Sequence, residues 1–330
     1  MRYLLIITFI IFALLACAGS EQIKEKTEIR GGTGTGAPAV ASDTPEEIPP
    51  ASIISEKNVP DEISLPPAVP EALDNDAMEK AMELKQHLVR NGVPGQWFDQ
   101  QLRHDHFRVH PGVNNYFRKS AERQVDHDKT HDASWYFARM RVDAKIEKGK
   151  IFIAANKDIF RRAEAKHGIH AELIAAIIGI ETNFGDQLHH GNFYAFNSLV
   201  SQYIFTKRKK FAVREITALY KFSQMTGRQP HYFTSSYAGA IGWGQFMPSS
   251  LLAFFIDANG VHADTDPFSL EDTIFSVENY LYKHNLSVKN ISDANARYKA
   301  VYAYNHSDVY VKAVLLIYDG LRNNLQKTDR

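Results

Sequence analysis

The sequence contains a single cysteine in 330 residues and no excess of charge of either sign. One cysteine cannot form a disulfide within the chain, so the fold does not rest on crosslinks. The 38 basic side chains are balanced by 38 acidic ones, whereas nucleic-acid-binding domains usually carry a basic excess. The one dense basic run, residues 207–210, is predicted to be a solvated helix or loop face. No nucleic-acid partner is therefore expected.

Internal repeats and alternating strands are also scarce. No segment recurs with a period of 20 to 50 residues, which excludes a solenoid. Helical periodicity dominates, and helices are predicted over Ala77–Asn91, over Val142–Lys166 and from Ser269 onward. The best candidate for a short strand is Phe107–Val113. The predicted fold class is mainly α, with at most a small β element.

Long apolar runs are confined to the N-terminus. The first 17 residues combine one basic residue, a short apolar run and the sequence Leu14-Leu15-Ala16-Cys17, which resembles the lipoprotein processing box. This predicts a signal peptide whose cleavage leaves Cys17 as an acylated N-terminus anchored to a membrane. Because Ala18 rather than aspartate follows the cysteine, the expected site is the periplasmic face of the outer membrane. An uncleaved apolar anchor and a chance cysteine are the alternatives.

The next segment, residues 18–75, is rich in glycine, threonine, serine, proline and acidic residues. Such a composition cannot bury a core, so the segment is predicted to be a disordered tether. A flexible coil of this length reaches roughly 40 Å. Residues 76–330 are then predicted to form the folded domain.

Glu181 is the most informative residue of that domain. It follows the apolar run Leu173–Ile180 and shares a helix face with Ile174, Ile177 and Ile178. Burial and the partial negative charge at a helix C-terminus would both raise the pKa of its carboxyl. A protonated carboxyl near neutral pH is what a general acid requires. A solvated glutamate at a helix end is the alternative.

Two later segments carry further chemistry. The glycine-rich run 235–250 lets the backbone approach a bulky ligand, while Gln245 offers a donor and an acceptor. It lacks the Gly-Lys-Ser/Thr ending of a phosphate loop. Residues 303–310 open a predicted helix over Val311–Leu321, where an aromatic helix cap is the simpler interpretation.

Three motifs, Gly179–Gly185, Gly239–Ser250 and Tyr304–Ser307, taken together and in this order, resemble the lytic murein transglycosylases of the B family. The resemblance covers about residues 78 to 325. It implies a lysozyme-like helical fold with a groove for the peptidoglycan glycan strand. Glu181 matches the acid/base, which would cleave the bond between N-acetylmuramic acid and N-acetylglucosamine without water and leave a 1,6-anhydro end. The resemblance implies neither a cofactor nor a catalytic metal.

The same resemblance implies a set of residues that contact the substrate. Ser236 and Gln245 match positions that hydrogen-bond sugar groups. Tyr304 and Asn305 match positions beside the glutamate. Aromatic positions lining the groove are matched by Tyr280 and Tyr310. For each tyrosine, packing in the core is the alternative.

Several positions depart from the family pattern. The sequence Thr206-Lys207-Arg208 stands where an arginine pair is common, and residues 257–266 fit an EF-hand poorly, because the glycine comes early and a closing glutamate is missing. His189-His190 has no metal-binding partner at ligand spacing, and Asp186 is expected to be structural or solvated. No bound metal is therefore predicted.

Two other functions fit the same residues. A noncatalytic wall-binding lipoprotein would keep the groove but would not need a buried acid. A hydrolytic muramidase would need a second carboxylate across the sugar, and no such residue is evident. The reaction product separates the muramidase from the lyase, because hydrolysis leaves a reducing end.

Overall fold

A computed structural model describes residues 73–117, 132–188 and 193–328 of the chain. Most of these residues lie in α-helices, as the periodicity predicts. The helices whose two ends are both described are α1 Asn75–Arg90, α2 Gly95–Leu102, α3 Ala133–Arg139, α4 Val142–Ala155, α5 Lys157–His167, α6 Ala171–Thr182, α7 Ala195–Phe205, α8 Lys209–Thr226, α9 Pro248–Phe254, α10 Leu270–Lys283, α11 Ala294–Tyr304 and α12 Asp308–Thr328. None of these described helices combines the length and apolarity needed to cross a membrane.

The only strands in the described residues form one two-residue pair. Strand β1, Phe193–Tyr194, runs antiparallel to strand β2, Thr234–Ser235. Short 3₁₀ turns lie at Pro230–Tyr232 and His262–Asp264. The mainly α fold class with a small β element is confirmed.

The helix boundaries follow local capping chemistry. The carboxylate of Asp74 accepts the Ala77 amide and starts α1, and the Ser269 hydroxyl accepts the Asp272 amide and starts α10. Both side chains satisfy backbone donors that have no partner within the helix. The predicted helix start at Ser269 is therefore confirmed.

Two predictions of secondary structure are wrong. Residues Phe107–Val113 contain no strand, because their amides do not join a ladder: the His110 amide donates to the Ser201 side chain of α7, and the Phe107 and Val113 amides donate to carbonyls three residues earlier. The predicted helix Val142–Lys166 is broken at Asn156. The side chain of Asn156 donates to the Phe152 carbonyl at 2.8 Å, and this local bond competes with continued helix.

Helix α6 lies in the core. It packs against α4, α5, α10 and α12, and its residues 171–180 are all buried. A helix that is apolar on every side has no face for solvent, which is why it is surrounded. Helix α8 packs against α1, α7 and α9, and α1 also packs against α7. Residues from both sets of helices meet at the C-terminal end of α6.

Candidate active site

Glu181 is the penultimate residue of α6. The residue is partly buried, and desolvation of its carboxyl raises the pKa to about 8. The hydroxyl of Tyr310, in the first turn of α12, donates to Oε1 of Glu181 at 2.7 Å. This hydrogen bond favours the carboxylate and lowers the pKa, but desolvation is the larger effect. Glu181 is therefore protonated at neutral pH and oriented by a fixed partner.

A tight left-handed turn follows Glu181. Asn183, Phe184 and Gly185 have φ values of 52°, 57° and 90°, a conformation that non-glycine residues seldom adopt. Two lysines of α4 stabilise this turn from one side. Lys145 donates to the Asn183 side chain at 3.0 Å, and Lys148 donates to the Asn183 carbonyl at 2.8 Å. The end of α6 is thereby fixed in position.

The glycine-rich segment forms a compact turn against the end of α6. Ile241 and Phe246 exchange backbone hydrogen bonds of 2.9 and 3.0 Å, closing the turn between them. The Thr182 hydroxyl donates to the Trp243 carbonyl at 3.1 Å. A Cβ on Gly242 would lie 2.1 Å from the Pro267 carbonyl oxygen, so only glycine fits there. The turn depends on this close approach of two backbones.

A cavity of about 220 Å³ opens over Glu181. Residues from α6, α8, α9 and α10, from the glycine-rich turn and from the end of α11 contribute to its walls. The residues that line it are Glu181, Arg214, Glu215, Gln245, Phe246, Met247, Ser249, Ser250, Tyr280, Ala303, Tyr304, Asn305 and His306. Four of the predicted substrate-contacting residues, Gln245, Tyr280, Tyr304 and Asn305, thus share the cavity with Glu181.

The two tyrosines of the cavity are oriented by backbone acceptors. The Tyr304 hydroxyl donates to the Gly244 carbonyl at 2.6 Å, and the Tyr280 hydroxyl donates to the Ala303 carbonyl at 2.7 Å. Burial raises the pKa of Tyr280 to about 12 and that of Tyr304 well above its usual value. Both hydroxyls stay neutral, so the tyrosines supply apolar rings and fixed dipoles.

Asn305 and Gln245 supply the amide groups. Asn305 is 3% exposed, and its Oδ1 has no hydrogen-bond partner among the described residues. An unpaired buried carbonyl is costly, so a donor from a ligand would stabilise it. Gln245 has a φ of 49° and its Nε2 donates to the Gly242 carbonyl at 3.0 Å. This bond fixes the amide group, whose Oε1 is an acceptor at the cavity wall.

Ser236 does not line this cavity. Its hydroxyl is buried and accepts the Ala240 amide at 3.2 Å, while its carbonyl accepts hydroxyls from Ser198 and Ser235. The structure therefore places Ser236 within the framework of the glycine-rich segment. Tyr310 reaches the site through Glu181 and is 1% exposed.

Sequence reasoning missed a second carboxylate in the cavity. Glu215 is fully buried, and its two oxygens accept the Ser249 amide and hydroxyl, both at 2.9 Å. Arg214 pairs with Oε1 at 2.7 Å. The sequence separates Glu215 and Ser249 by 34 positions, and no periodicity links them. Because its oxygens are occupied by α9 and Arg214, Glu215 is a structural carboxylate.

The remaining predicted positions lie away from the cavity or outside the described residues. Asp186 is exposed and pairs with Lys148 at 2.6 Å. Asp257 and Asp266 lie in a loop where they bind backbone amides, Tyr232 and other neighbours. In the described ranges no three metal-ligating side chains come together. The pair at 189–190 and Cys17 with its tether fall outside these ranges.

The helical fold, with one protonated glutamate beneath a cavity lined by aromatic and amide side chains, is that of the lysozyme-like class of domains. The chain belongs to the transglycosylase SLT domain family, whose model matches residues 76–293. The resemblance to lytic transglycosylases is therefore confirmed.

One characterised relative is the membrane-bound lytic murein transglycosylase B of Escherichia coli (strain K12). It is 29% identical over 140 residues, which are 42% of this chain and 38% of that protein. The match thus spans about two fifths of the relative's length.

Solved structures share the fold at lower identity. SltB3 from Pseudomonas aeruginosa, in complex with NAG-anhNAM-pentapeptide, has a TM-score of 0.62 and 18% identity over 75% of this chain and 80% of its own. The Escherichia coli lytic transglycosylase Slt35, in complex with bulgecin A, has a TM-score of 0.59 and 18% identity over 74% of this chain and 93% of its own. At these identities the comparison shows a shared fold and nothing further.

Proposed function

We propose that the protein is a peptidoglycan lytic transglycosylase, which cleaves the β-1,4 bond between N-acetylmuramic acid and N-acetylglucosamine. The observation that carries this proposal is the protonated Glu181 at the base of the cavity. Its raised pKa, about 8, allows it to hold a proton at neutral pH and to release it to a sugar oxygen. A pure binding protein has no use for a buried acid, which costs stability once ionised.

The proposed mechanism uses one carboxyl group twice. Glu181 first gives its proton to the glycosidic oxygen as the bond to C1 of the muramic acid breaks. The resulting carboxylate, still bonded to Tyr310, then takes the proton from the C6 hydroxyl. The C6 oxygen closes onto C1 and forms the 1,6-anhydro ring. Glu181 ends the cycle protonated, and no water is consumed.

The second carboxylate of the cavity favours this lyase over a hydrolytic muramidase. Two-carboxylate hydrolysis needs a free base or nucleophile on the far side of the sugar. Glu215 is the other acid that lines the cavity, but Ser249 and Arg214 occupy its oxygens. The names of the relatives give independent support, since they are lytic transglycosylases, and the ligand bound to SltB3 contains an anhydro sugar.

Side chains around Glu181 fit a sugar with N-acetyl and hydroxyl groups. We assign Asn305 and Gln245 to hydrogen bonds with these groups, and Tyr280 and Tyr304 to packing against the apolar faces of the rings. Tyr310 is assigned to the orientation of Glu181. Ser236 would act by shaping the glycine-rich segment.

The chain is also proposed to be lipid-anchored through Cys17 on the periplasmic face of the outer membrane. The support is the processing box at residues 14–17 and the name of the Escherichia coli relative, which is membrane-bound. A tether over residues 18–75 would let the domain reach the wall. The inner membrane and an uncleaved apolar anchor are the alternatives that experiment must exclude.

In the decisive experiment, purified sacculi are digested with the purified protein or with its Glu181→Gln variant, and the products are identified by mass spectrometry. Anhydromuropeptides from the wild type, with at least a ~10³-fold lower yield from the variant, are expected, because the substitution removes the transferable proton and keeps the shape. Reducing-end products would indicate a muramidase. Binding of both proteins to sacculi without products would indicate a wall-binding protein.

A further inference from the structure

A surface patch outside the active site lies where the end of α5 meets the C-terminal end of α10. Two apolar side chains are exposed there, Tyr282 at 40% and Val288 at 69%. The Tyr282 ring stacks on the His167 ring, with 3.5 Å between the centroids. The Val288 amide donates to the His167 carbonyl at 2.7 Å. Both exposed residues are thus attached to the same residue of α5.

The loop after α10 holds Val288 in this exposed position. Asn285 has a φ of 66°, and the Leu286 amide donates back to the Leu281 carbonyl at 3.1 Å. The Leu286 side chain is fully buried and attaches the loop to the core. A Cβ on Gly168 would lie 2.5 Å from the Val288 Cβ, so the glycine allows the close contact between loop and helix. The exposure of Val288 therefore follows from fixed backbone contacts.

Three exposed lysines surround the apolar pair, and each is adjacent in sequence to a residue of this contact: Lys166, Lys283 and Lys289. None of the three forms an ion pair with another described residue. Segments 165–170 and 279–292 contain no acidic residue. Glu278 bonds to the His167 ring at 2.8 Å but is 1% exposed. The patch therefore presents apolar and positively charged groups to the solvent.

We propose that this docking patch, formed by Lys166, His167, Tyr282, Lys283, Val288 and Lys289, binds a membrane surface that contains anionic phospholipids. Lysines are attracted to anionic headgroups, tyrosine favours the boundary between lipid and water, and an exposed valine leaves water when it enters that layer. A wall polymer offers carboxylates but no apolar layer for Val288. The inference uses the proposed anchor for proximity, since the predicted tether would keep the domain within roughly 40 Å of the bilayer.

Docking through this patch would leave the active-site cavity open. Tyr280 lines the cavity, and Tyr282 lies two residues further along α10. Two residues of an α-helix are separated by about 200° around its axis, so the two tyrosines project from nearly opposite sides of α10. With Tyr282 on the membrane, the cavity would face away from the lipid and toward the wall.

The test attaches a polarity-sensitive fluorophore to the thiol introduced by Val288→Cys in the full-length chain. Cys17→Ser in the same chain removes the one native cysteine, so the label has a single site whether or not the native protein is acylated. The chain is incorporated into vesicles of phosphatidylethanolamine and phosphatidylglycerol, or of phosphatidylcholine alone. Emission should shift to shorter wavelength in the anionic vesicles only. Salt at about 1 M should reverse most of the shift, because it screens the lysines.

The matched control is the label on Ile151→Cys in the same background. Ile151 is 72% exposed on α4, where the neighbouring Lys150 is paired with Glu147. Its emission should be the same in both kinds of vesicle. The triple substitution Lys166→Gln/Lys283→Gln/Lys289→Gln, added to the chain labelled at position 288, should lower the ratio of docked to undocked protein about 100-fold. Each lysine near an anionic surface is expected to supply about 5-fold.

Equal responses at positions 288 and 151, equal responses in anionic and neutral vesicles, or an unchanged response after the triple substitution would each overturn the proposal. A shift on sacculi in place of anionic vesicles would also overturn it and would assign the patch to the wall. Thermal unfolding of each variant checks that the fold is intact. Failure of the proposed function appears separately, as absence of anhydromuropeptides from the protein with native Glu181.

Discussion

At the scale of single residues, the site is built on the contrast between two glutamates in one cavity. Glu181 accepts a hydroxyl donor, and desolvation rather than a neighbouring charge decides its protonation. The oxygens of Glu215 instead accept the amide and hydroxyl of Ser249 and pair with the guanidinium of Arg214. The same side chain thus holds a raised pKa in one place and a set of structural hydrogen bonds in the other. The environment of each carboxyl decides its role.

Tyr310 provides a test of this account. Its hydroxyl bonds to the Glu181 carboxylate and lowers the carboxyl pKa, so Tyr310→Phe should raise that pKa. If Glu181 must be protonated, activity falls as pH rises through the pKa, about 8 in the wild type. The alkaline limb of the pH–rate profile should therefore move upward by roughly one pH unit in the variant, because a hydrogen bond to a charged group contributes about 1.5 kcal/mol.

Tyr304→Phe is the matched control, because the Tyr304 hydroxyl donates to the Gly244 carbonyl and not to Glu181. Its alkaline limb should stay close to that of the wild type. The measurement is initial rate against pH on solubilised glycan strands. A downward shift in Tyr310→Phe, or equal shifts in both variants, would contradict the assigned role of Tyr310.

The position of the Glu181 carboxyl at the end of a buried helix could be predicted from the sequence, but its surroundings could not. Glu181 stands out because an apolar helix is a local pattern, and a carboxyl at the end of its buried face is unusual. Glu215 and Ser249 have no such signal, since they are joined by tertiary contacts between α8 and α9. Ser236 lies within a recognisable motif, yet its hydroxyl is used by the Ala240 amide. A motif identifies the segment, whereas the fold decides which of its side chains reach the cavity.

At the scale of elements, the end of α6 and the glycine-rich turn form one unit. Thr182 bonds to Trp243, and the Trp243 ring covers Gly185, where a Cβ would lie 2.4 Å from two ring carbons. Gly185 also has a φ of 90°. The glycine is required both for the left-handed turn and for the approach of the indole.

Gly185→Ala should therefore destabilise the folded protein. A clash with a packed ring adds to the backbone strain, so we expect the free energy of unfolding to fall by about 2–4 kcal/mol. Gly227→Ala is the control: Gly227 has a φ of 67° and open space around it, so the strain alone should cost about 1 kcal/mol. Urea unfolding of both variants measures the difference. Equal losses would show that the Trp243 contact does not constrain the end of α6.

Elements differ in how well the sequence predicts them. Caps such as Asp74 and Ser269 are local and can be predicted from the residues around them. The break at Asn156 cannot, because its polar side chain is compatible with a helix and it lies within a periodic segment. The segment 107–113 alternates as a strand does, but its His110 amide bonds to the Ser201 side chain of α7 and not to another strand. Pairing between distant segments is not encoded in local alternation.

At the scale of the whole molecule, the mainly α class follows from periodicity alone, whereas the cavity does not. Its lining comes from five helices and one turn that lie between residues 181 and 306, and no local pattern gives their relative placement. The family motifs supply that information indirectly, since they lie around the cavity. The active site is therefore a property of the packing of α6 against its neighbours.

The proposed lipid anchor is also tested at the scale of the whole molecule. If Cys17 is processed and acylated, the mature protein lacks residues 1–16 and carries lipid at its N-terminus, and multiple acyl chains hold it stably in a membrane. Intact mass spectrometry of the protein from the membrane fraction should show both features. Cys17→Ser should retain residues 1–16 and carry no lipid, because the acylated thiol is lost. An unlipidated wild-type chain that keeps its first 16 residues would instead identify an uncleaved apolar anchor. Separation of the inner and outer membranes would show which of the two holds the mature protein.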